Sequence, residues 1–326
     1  MNILVTGGAG YVGSIVSEQL VKQGNRVFVL DNLKQGHRAA VLDEAEFLNF
    51  SMGEVSALED ILVTNKIEGV MHMAAETVVT FSMTDPRRYF KSNIIDGITL
   101  LDSMLKSNVN MIIFSSSASV YGEPESSPIE EDHPKNPKNS YGETKLMFEN
   151  ILKWYGYAYG LKHISLRYFN AAGASENIGE DHRPETHLIP NILRAAINPD
   201  TPVAVFGTDY PTRDGSCLRD FVHVIDIAQA HILALEKLDE FSGRAYNLGS
   251  GEGYSVLEVI TIARDVTGVE IPSVMHPRRA GDPAALIASS SRARSELGWN
   301  PEYTTLREII ESTWKWMREH PDGYEY

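Results

Sequence analysis

The opening residues, MNILVTGGAGYVGSIVSEQLVKQG, leave little freedom in what can follow them. A short apolar strand runs directly into Gly7, Gly10 and Gly13, spaced G-x-x-G-x-x-G. Val12, Ile15, Val16 and Leu20 then recur at helical spacing until Gly24, where a helix C-terminus would stop. Strand, glycine turn and helix in immediate succession point free backbone N–H groups and the positive end of a helix dipole at a place a diphosphate can approach closely. A glycine-rich turn alone can be purely structural. Here RVFVLD follows as a second strand and ends in Asp31, about where an acid would hydrogen-bond an adenosine ribose. The segment therefore predicts a dinucleotide site that favours NAD, because an acid there repels the extra phosphate of NADP.

The same rhythm continues. ILVTG, RVFVLD, EFLNF, GVMHMAA, NMIIFSS and HISLRYFN alternate with helical segments, which predicts an α/β fold built on a Rossmann-type doubly wound parallel sheet. Ligands of such a sheet lie beyond the carboxyl ends of its strands, and those ends carry GGAG, DN, MAAET, SSSAS and YFNAAG. PESSPIEEDHPKNPKNS reads as a surface loop leading into a helix at Tyr141. Beyond residue 173 the strand rhythm weakens and loops lengthen. The expected organisation is a dinucleotide-binding domain over 1–173, to which parts of about 219–249 return, and a smaller C-terminal lobe over 174–218 and 250–326 that covers the substrate. A chain of 326 residues with 43% hydrophobic content can bury a core of that size.

Within this frame, Tyr141 and Lys145 in SYGETK stand four apart on one helical face. A phenol acts as an acid or base near neutral pH only if its pKa falls from about 10, and a neighbouring ammonium lowers it by favouring the phenolate. Alone, the pair reads equally as an ordinary half-exposed helix face. The strand MIIF, however, ends in Ser115, Ser116 and Ser117, and a Ser117 hydroxyl bonded to both the phenol and a substrate oxygen can orient the substrate and relay a proton.

Composition bounds the partners. Lys plus Arg number 29 against 44 Asp plus Glu, and a net charge of -15 argues against nucleic acid or an anionic membrane as a general partner. Cys217 is the only cysteine, so no intrachain disulfide and no cysteine-based zinc site is expected. The ten histidines, His72, His187 and His223 among them, are scattered without metal-ligand spacing, and no metal is expected. No apolar run reaches membrane-spanning length and Met1 enters the first strand without a signal-peptide pattern, so the cytoplasm is the expected compartment.

GGAGYVG, Ser117 and Tyr141-x-x-x-Lys145, in this strand order, resemble the extended short-chain dehydrogenase/reductases, and within them the NAD-dependent epimerases of sugar nucleotides. The similarity covers essentially the whole chain through FSSSASVYGEP, PIEEDHPKNPKNSYGETK, LRYFNAAGA, HLIPNIL, VAVFGTDYPTRDGSCLRDFVHVIDIAQAH, YNLGSGEGYSV and RRAGDPAALIASS. It implies reversible inversion at C4 of a UDP-hexose, UDP-glucose or UDP-galactose, through a transient 4-keto sugar. Tyr141 would be the base, Lys145 its electrostatic tuner and a holder of the nicotinamide ribose, and Ser117 the partner of the sugar 4-oxygen. For NAD the resemblance adds Tyr11, Val12 and Asn32 near diphosphate and ribose, Met73, Ala74, Ala75 and Thr77 at the fourth strand's end, and Asn93, Ser115 and Tyr168 around the nicotinamide half. For UDP it implies Asn170 at sugar or diphosphate, Leu188, Ala204 and Phe206 at the uracil, Arg219 and Arg279 on the diphosphate, and Asp282 on the uridine ribose; His187 would line the site beside Leu188.

The sequence also departs from the family pattern. Ser51 stands where an Asp usually bonds the adenine amino group, leaving backbone near Met52 to hold the adenine; Thr77 replaces a Lys of some relatives; Ser140 replaces the common Pro before Tyr141. At Leu286 a large aromatic restricts relatives to hexoses without an N-acetyl group and a smaller side chain admits one, so leucine implies UDP-glucose and UDP-galactose with room for N-acetylated forms. The family also implies a homodimer through helices at about Pro86 to Lys106 and Tyr141 to Tyr157, whose apolar residues Phe90, Leu101, Leu105, Phe148 and Leu152 face either a partner or the sheet. Two alternatives stay open: a 4-epimerase of UDP-xylose, UDP-arabinose or UDP-glucuronate, and a non-catalytic NAD-binding regulator, although a regulator would be expected to have lost Tyr141 or Lys145. Dehydration is disfavoured, since Ala118 and Ser119 follow the serines where dehydratases carry acids.

Overall fold

A computed structural model describes residues 1–279 and 282–324. Strands β1 (Asn2–Thr6), β2 (Arg26–Leu30), β3 (Glu46–Leu48), β4 (Gly69–His72), β5 (Met111–Ser117), β6 (Lys162–Tyr168) and β7 (Arg244–Leu248) form one seven-stranded sheet in the order β7-β6-β5-β4-β1-β2-β3. Every pairing in it is parallel. The strands are apolar without alternation because helices cover both faces: Ile3, Leu4, Val5, Val70, Met71, Ile112, Ile113, Ile164 and Leu166 are all fully buried. Helices α1 (Tyr11–Lys22) and α6 (Val224–Glu236) pack together on one face, while α2 (Val55–Thr64), α3 (Asp96–Lys106) and α4 (Ser140–Tyr159) join the core of the other. The six strands expected from apolar runs are all present. β7 adds a seventh beside β6, from a run whose first residues are half-buried or exposed and so lack the apolar signature.

The chain winds outward from β1 to β3 on one side, then returns to β4 on the other side of β1 and winds outward again. Connections leave in opposite directions at the carboxyl ends of β1 and β4, which opens a crevice there. Gly7 sits at that point with φ +69°, and a Cβ on it would lie 2.6 Å from the Ala74 backbone. A Cβ on Gly13 would strike the Gly7 carbonyl. The glycines thus let the first turn lie flat against the start of α1.

Past β6 the structure changes character. Asn170–Ala172 pairs with Phe221–His223, Val203–Phe206 with Ser273–His276, and Leu218–Arg219 lies between Tyr254–Ser255 and Ala285–Leu286. Helices α5 (Leu188–Ile197), α7 (Val256–Thr267) and α8 (Leu306–Glu319) pack around these short pairings, α7 and α8 each opening on a capping box, Ser255 with Glu258 and Thr305 with Glu308. Asp220, fully buried, ties several of these pieces together by accepting from the backbone N–H groups of Ser250, Gly251 and Ala288.

The two helical stretches expected to carry a dimer contact exist as Pro86–Tyr89, Phe90–Ile95 with wider π-type turns, Asp96–Lys106, and α4. Leu101, Phe148 and Leu152 are fully buried and Phe90 packs on the same core, so these side chains face inward. The exposed apolar groups are instead Ile95, Trp154, Tyr157 and Tyr159. No helix among the described residues is long and apolar enough to cross a membrane.

Candidate active site

A cavity of about 2080 Å³ opens between the sheet's carboxyl edge and the C-terminal segments. Its sheet-side wall holds Gly7, Gly10, Tyr11, Val12, Gly13, Asp31, Asn32, Ser51, Met52, Met73, Ala74, Ala75 and Thr77, and then Ser115, Ser117, Tyr141, Lys145 and Tyr168. The opposite wall holds Asn170, His187, Leu188, Ala204, Phe206, Arg219, Arg279, Asp282 and Leu286. Of the residues expected at the site, only Asn93 is not in the lining. Its amide is spent on the backbone of Glu76, accepting from the N–H at 2.8 Å and donating to the carbonyl, and on the Thr144 hydroxyl, so it braces the wall instead of facing the cavity.

α4 begins where Asn139 caps it, its Oδ1 accepting from the Gly142 N–H at 2.8 Å. Ser140, the first helical residue, donates its hydroxyl to the Ser82 carbonyl, a tie that the more usual proline could not make. Tyr141 therefore enters the cavity from a fixed first turn. Burial pushes its phenol pKa up, and a hydrogen bond with Ser117 pulls the other way. Lys145 follows one turn later, nearly fully buried, with Nζ donating to the Ser115 carbonyl at 2.7 Å and lying 5.8 Å from the centre of the Tyr141 ring. Burial pushes its pKa down to about 7, partly opposed by Glu149. The sequence predicts that lysine lowers the tyrosine; in the protein alone burial dominates both groups, opposed by Ser117 at the phenol and by Glu149 at the ammonium.

Asp31 directly follows β2, with Oδ2 accepting from the Ala9 N–H and Oδ1 from the Leu33 N–H, and its pKa is raised by burial. The cradle at Gly7 and Gly13, closed to any side chain and edged by this acid, fits a dinucleotide diphosphate and ribose.

On the facing wall, Arg219 donates to the Leu218 and Pro283 carbonyls and stands 3.5 Å from Asp282; Asp220 beside it turns away into the interior, so the adjacent residues are not a surface ion pair. The Arg279 guanidinium lies 3.8 Å over the Phe206 ring. Asn170 donates to the Asp220 carbonyl at 2.8 Å.

Sequence reasoning passed over several groups. Asp96 lines the cavity near Gly53, its pKa raised by burial, at the end where Ser51 lacks a carboxylate. Arg88, paired with Glu76 at 2.6 Å, and Lys138 also line it. Glu180 and His182 converge with the expected His187, and the two histidines line the cavity.

A parallel sheet with this glycine cradle, and a Ser, Tyr and Lys set beside it, defines a dinucleotide-dependent enzyme of the short-chain dehydrogenase/reductase type. The chain belongs to the NAD dependent epimerase/dehydratase family, whose model matches residues 3–249. It is 50% identical to the UDP-glucose 4-epimerase of Lacticaseibacillus casei over 99% of both chains. Among solved structures it resembles UDP-glucose 4-epimerase from Brucella ovis in complex with NAD (41% identity, TM-score 0.93, 96% and 97% of the two chains). It likewise resembles the enzyme from Bifidobacterium longum in complex with NAD+ and UDP (36% identity, TM-score 0.94, 99% and 100%).

Proposed function

We infer that the protein catalyses the NAD-dependent, reversible inversion at C4 of a UDP-hexose, interconverting UDP-glucose and UDP-galactose. The observation that carries this is one cavity holding both the Ser117, Tyr141 and Lys145 group beside the glycine cradle and, opposite, Arg219 and Arg279 with Phe206 and Leu188. The first set fits sugar oxidation and reduction, and the second fits a nucleoside diphosphate.

Bound NAD would supply the hydride acceptor, and then the hydride donor, for C4. Gly7, Gly10, Tyr11, Val12 and Gly13 would hold its diphosphate, Asp31 and Asn32 its adenosine ribose, Ser51 and Met52 the adenine side, and Met73, Ala74, Ala75, Thr77, Ser115 and Tyr168 the remainder. Tyr141 takes the proton of the sugar 4-hydroxyl and later returns it. Ser117 holds the 4-oxygen and keeps the phenol aimed at it. Lys145, anchored on the Ser115 carbonyl, supplies positive charge beside a phenol that burial otherwise keeps neutral. Arg219, Arg279 and Asn170 grip the diphosphate, Leu188, Ala204 and Phe206 the uracil with His187 alongside, and Asp282 the ribose. A firm hold on UDP and few contacts on the hexose let the 4-keto sugar turn its other face before reduction. Leu286 leaves room for an N-acetyl group.

The sheet half, 1–173 with parts of about 219–249, would serve the cofactor, and 174–218 with 250–326 the sugar nucleotide. We also propose a homodimer through the helices that expose Ile95, Trp154, Tyr157 and Tyr159, in the cytoplasm. The test of the activity is to incubate the purified protein with UDP-galactose without added NAD. UDP-glucose should form with no net NADH; no product even with NAD supplied would overturn the reading.

A further inference from the structure

We propose that Glu180, His182 and His187, backed by Glu185, form a binding site for one divalent transition-metal ion of the zinc class at the rim of the cavity. One ligand atom from each of the first three lies within 4.8 Å of the others. A tetrahedral zinc site with ligands at about 2.0–2.2 Å spaces its donors roughly 3.4 Å apart. Closing that gap needs up to about 1.4 Å of side-chain movement by that arithmetic. His187, whose side chain is 46% exposed, has room to make it.

The carboxylates argue for a cation. The side chains of Glu180 and Glu185 are 2% and 0% exposed. Each spends one oxygen locally. Glu180 Oε1 accepts from the His182 N–H at 2.8 Å and from the His182 ring, and Glu185 Oε1 accepts from the N–H groups of Thr186 and His187 and from His187 Nδ1, all at 2.7 Å. The second oxygen of each, Oε2, is buried without a hydrogen-bond partner. Buried carboxylate oxygens are costly to leave that way. Two buried carboxylates thus lie beside two imidazoles, with His187 Nδ1 4.0 Å from the unpartnered Glu180 Oε2. One divalent ion would neutralise the pair, give a buried Oε2 its partner and leave the imidazoles as neutral ligands. Imidazole nitrogen with carboxylate oxygen selects zinc-class ions over magnesium or calcium, which prefer oxygen alone. Glu185, bonded to the His187 ring, stands where a carboxylate orients a metal-bound histidine.

The ion would also tie the loop carrying Glu180 to the first turn of α5, which opens on Leu188. This inference is independent of the catalytic reading, since metal binding is measured without turnover. The test uses the whole protein with its bound NAD, stripped of metal by a chelator and titrated with Zn²⁺ against a chromophoric competitor and, separately, with Co²⁺. The expected result is one Zn²⁺ per chain at micromolar protein, and Co²⁺ absorption bands in the visible that Zn²⁺ abolishes. His187→Gln should weaken binding at least about tenfold, the order a lost ligand or its orienting partner commands. The double change His182→Gln with His187→Gln should abolish it. Melting temperature and NAD content report whether the variants fold, and Glu180→Gln gives a second route should the double variant not fold. Absence of stoichiometric binding by the unaltered protein, or binding unchanged in His187→Gln and Glu180→Gln, would show a proton-bound His–Glu network and overturn the proposal.

Discussion

The two walls of the cavity are made differently. On the sheet side, Ser115, Ser117, Tyr141 and Lys145 project from β5 and α4, and fully buried Ile112, Ile113, Phe148 and Leu152 lie behind them. Glu149 adds a second lock there, its carboxylate accepting from the Ser116 hydroxyl at 2.6 Å and pairing with the buried Arg167 guanidinium at 2.6 Å. On the other side, Leu188, Ala204, Phe206, Arg219 and Arg279 come from a helix start, two-to-four-residue strands and connecting loops. There Arg279 covers a face of Phe206, so the group proposed for diphosphate rests on the ring proposed for uracil, and UDP must part them. A proton-transfer geometry tolerates errors of well under an ångström, whereas a grip on UDP need only close after the ligand arrives. The contrast fits a reaction in which the chemistry is fixed and the sugar turns.

The largest expected effect is on the rigid wall. Tyr141→Phe should lower kcat by about 10³-fold, within the range that general acid–base groups contribute, while NAD content is unchanged. Retention of full activity would remove Tyr141 from the mechanism. Lys145→Met separates function from stability. It should cost about 10²-fold in kcat, yet raise the melting temperature of NAD-free protein near neutral pH, because a buried cation is replaced by an apolar chain of similar length. The pH dependence fixes the sign. In the NAD-free protein, between about pH 7 and 10.5, the folded lysine is largely neutral while the unfolded one still holds its proton, so the unaltered NAD-free protein gains stability as pH rises through that window. The gain is at most about 1.4 kcal/mol per pH unit. The advantage of Lys145→Met should therefore be full below pH 7 and shrink steadily above it, as denaturant melts across pH would record.

Smaller effects belong to the adjustable wall. Arg219→Ala should raise KM for the UDP-sugar about 10–100-fold with a lesser change in kcat, since a charge-assisted contact to phosphate is lost before and during reaction alike. A fall in kcat with KM unchanged would place Arg219 on the reacting sugar instead. Least in size, Leu286→Tyr should reduce turnover of UDP-N-acetylglucosamine relative to UDP-glucose by about tenfold, the scale set by filling one pocket. Equal loss on both sugars would mean that Leu286 does not select between them.

How far the sequence could be read follows the same division. The parallel sheet was legible because doubly covered strands are continuous apolar runs and because Gly7, Gly10 and Gly13 serve a backbone need that few other patterns share. β7 was not read as a strand, since Arg244 is exposed at its start and only the later residues are buried. Asn93 was placed at the nicotinamide by analogy, but a side-chain amide has four hydrogen-bond sites and here the wall itself uses three. The spacing of Tyr141 and Lys145 identified the pair correctly as neighbours; the direction of their pKa shifts depended on burial, which spacing does not carry. The His–Glu cluster left a signal in EDHRPETH, two histidines and two glutamates in one short run, which the histidines taken without their glutamates do not show.

The central claim is that the C4 hydrogen leaves the sugar as hydride and returns to the same carbon within one cavity. Supplying UDP-galactose deuterated at C4, in ordinary water, tests it most directly. The product UDP-glucose should keep its deuterium at C4; product carrying hydrogen there instead would mean exchange with solvent and contradict the account.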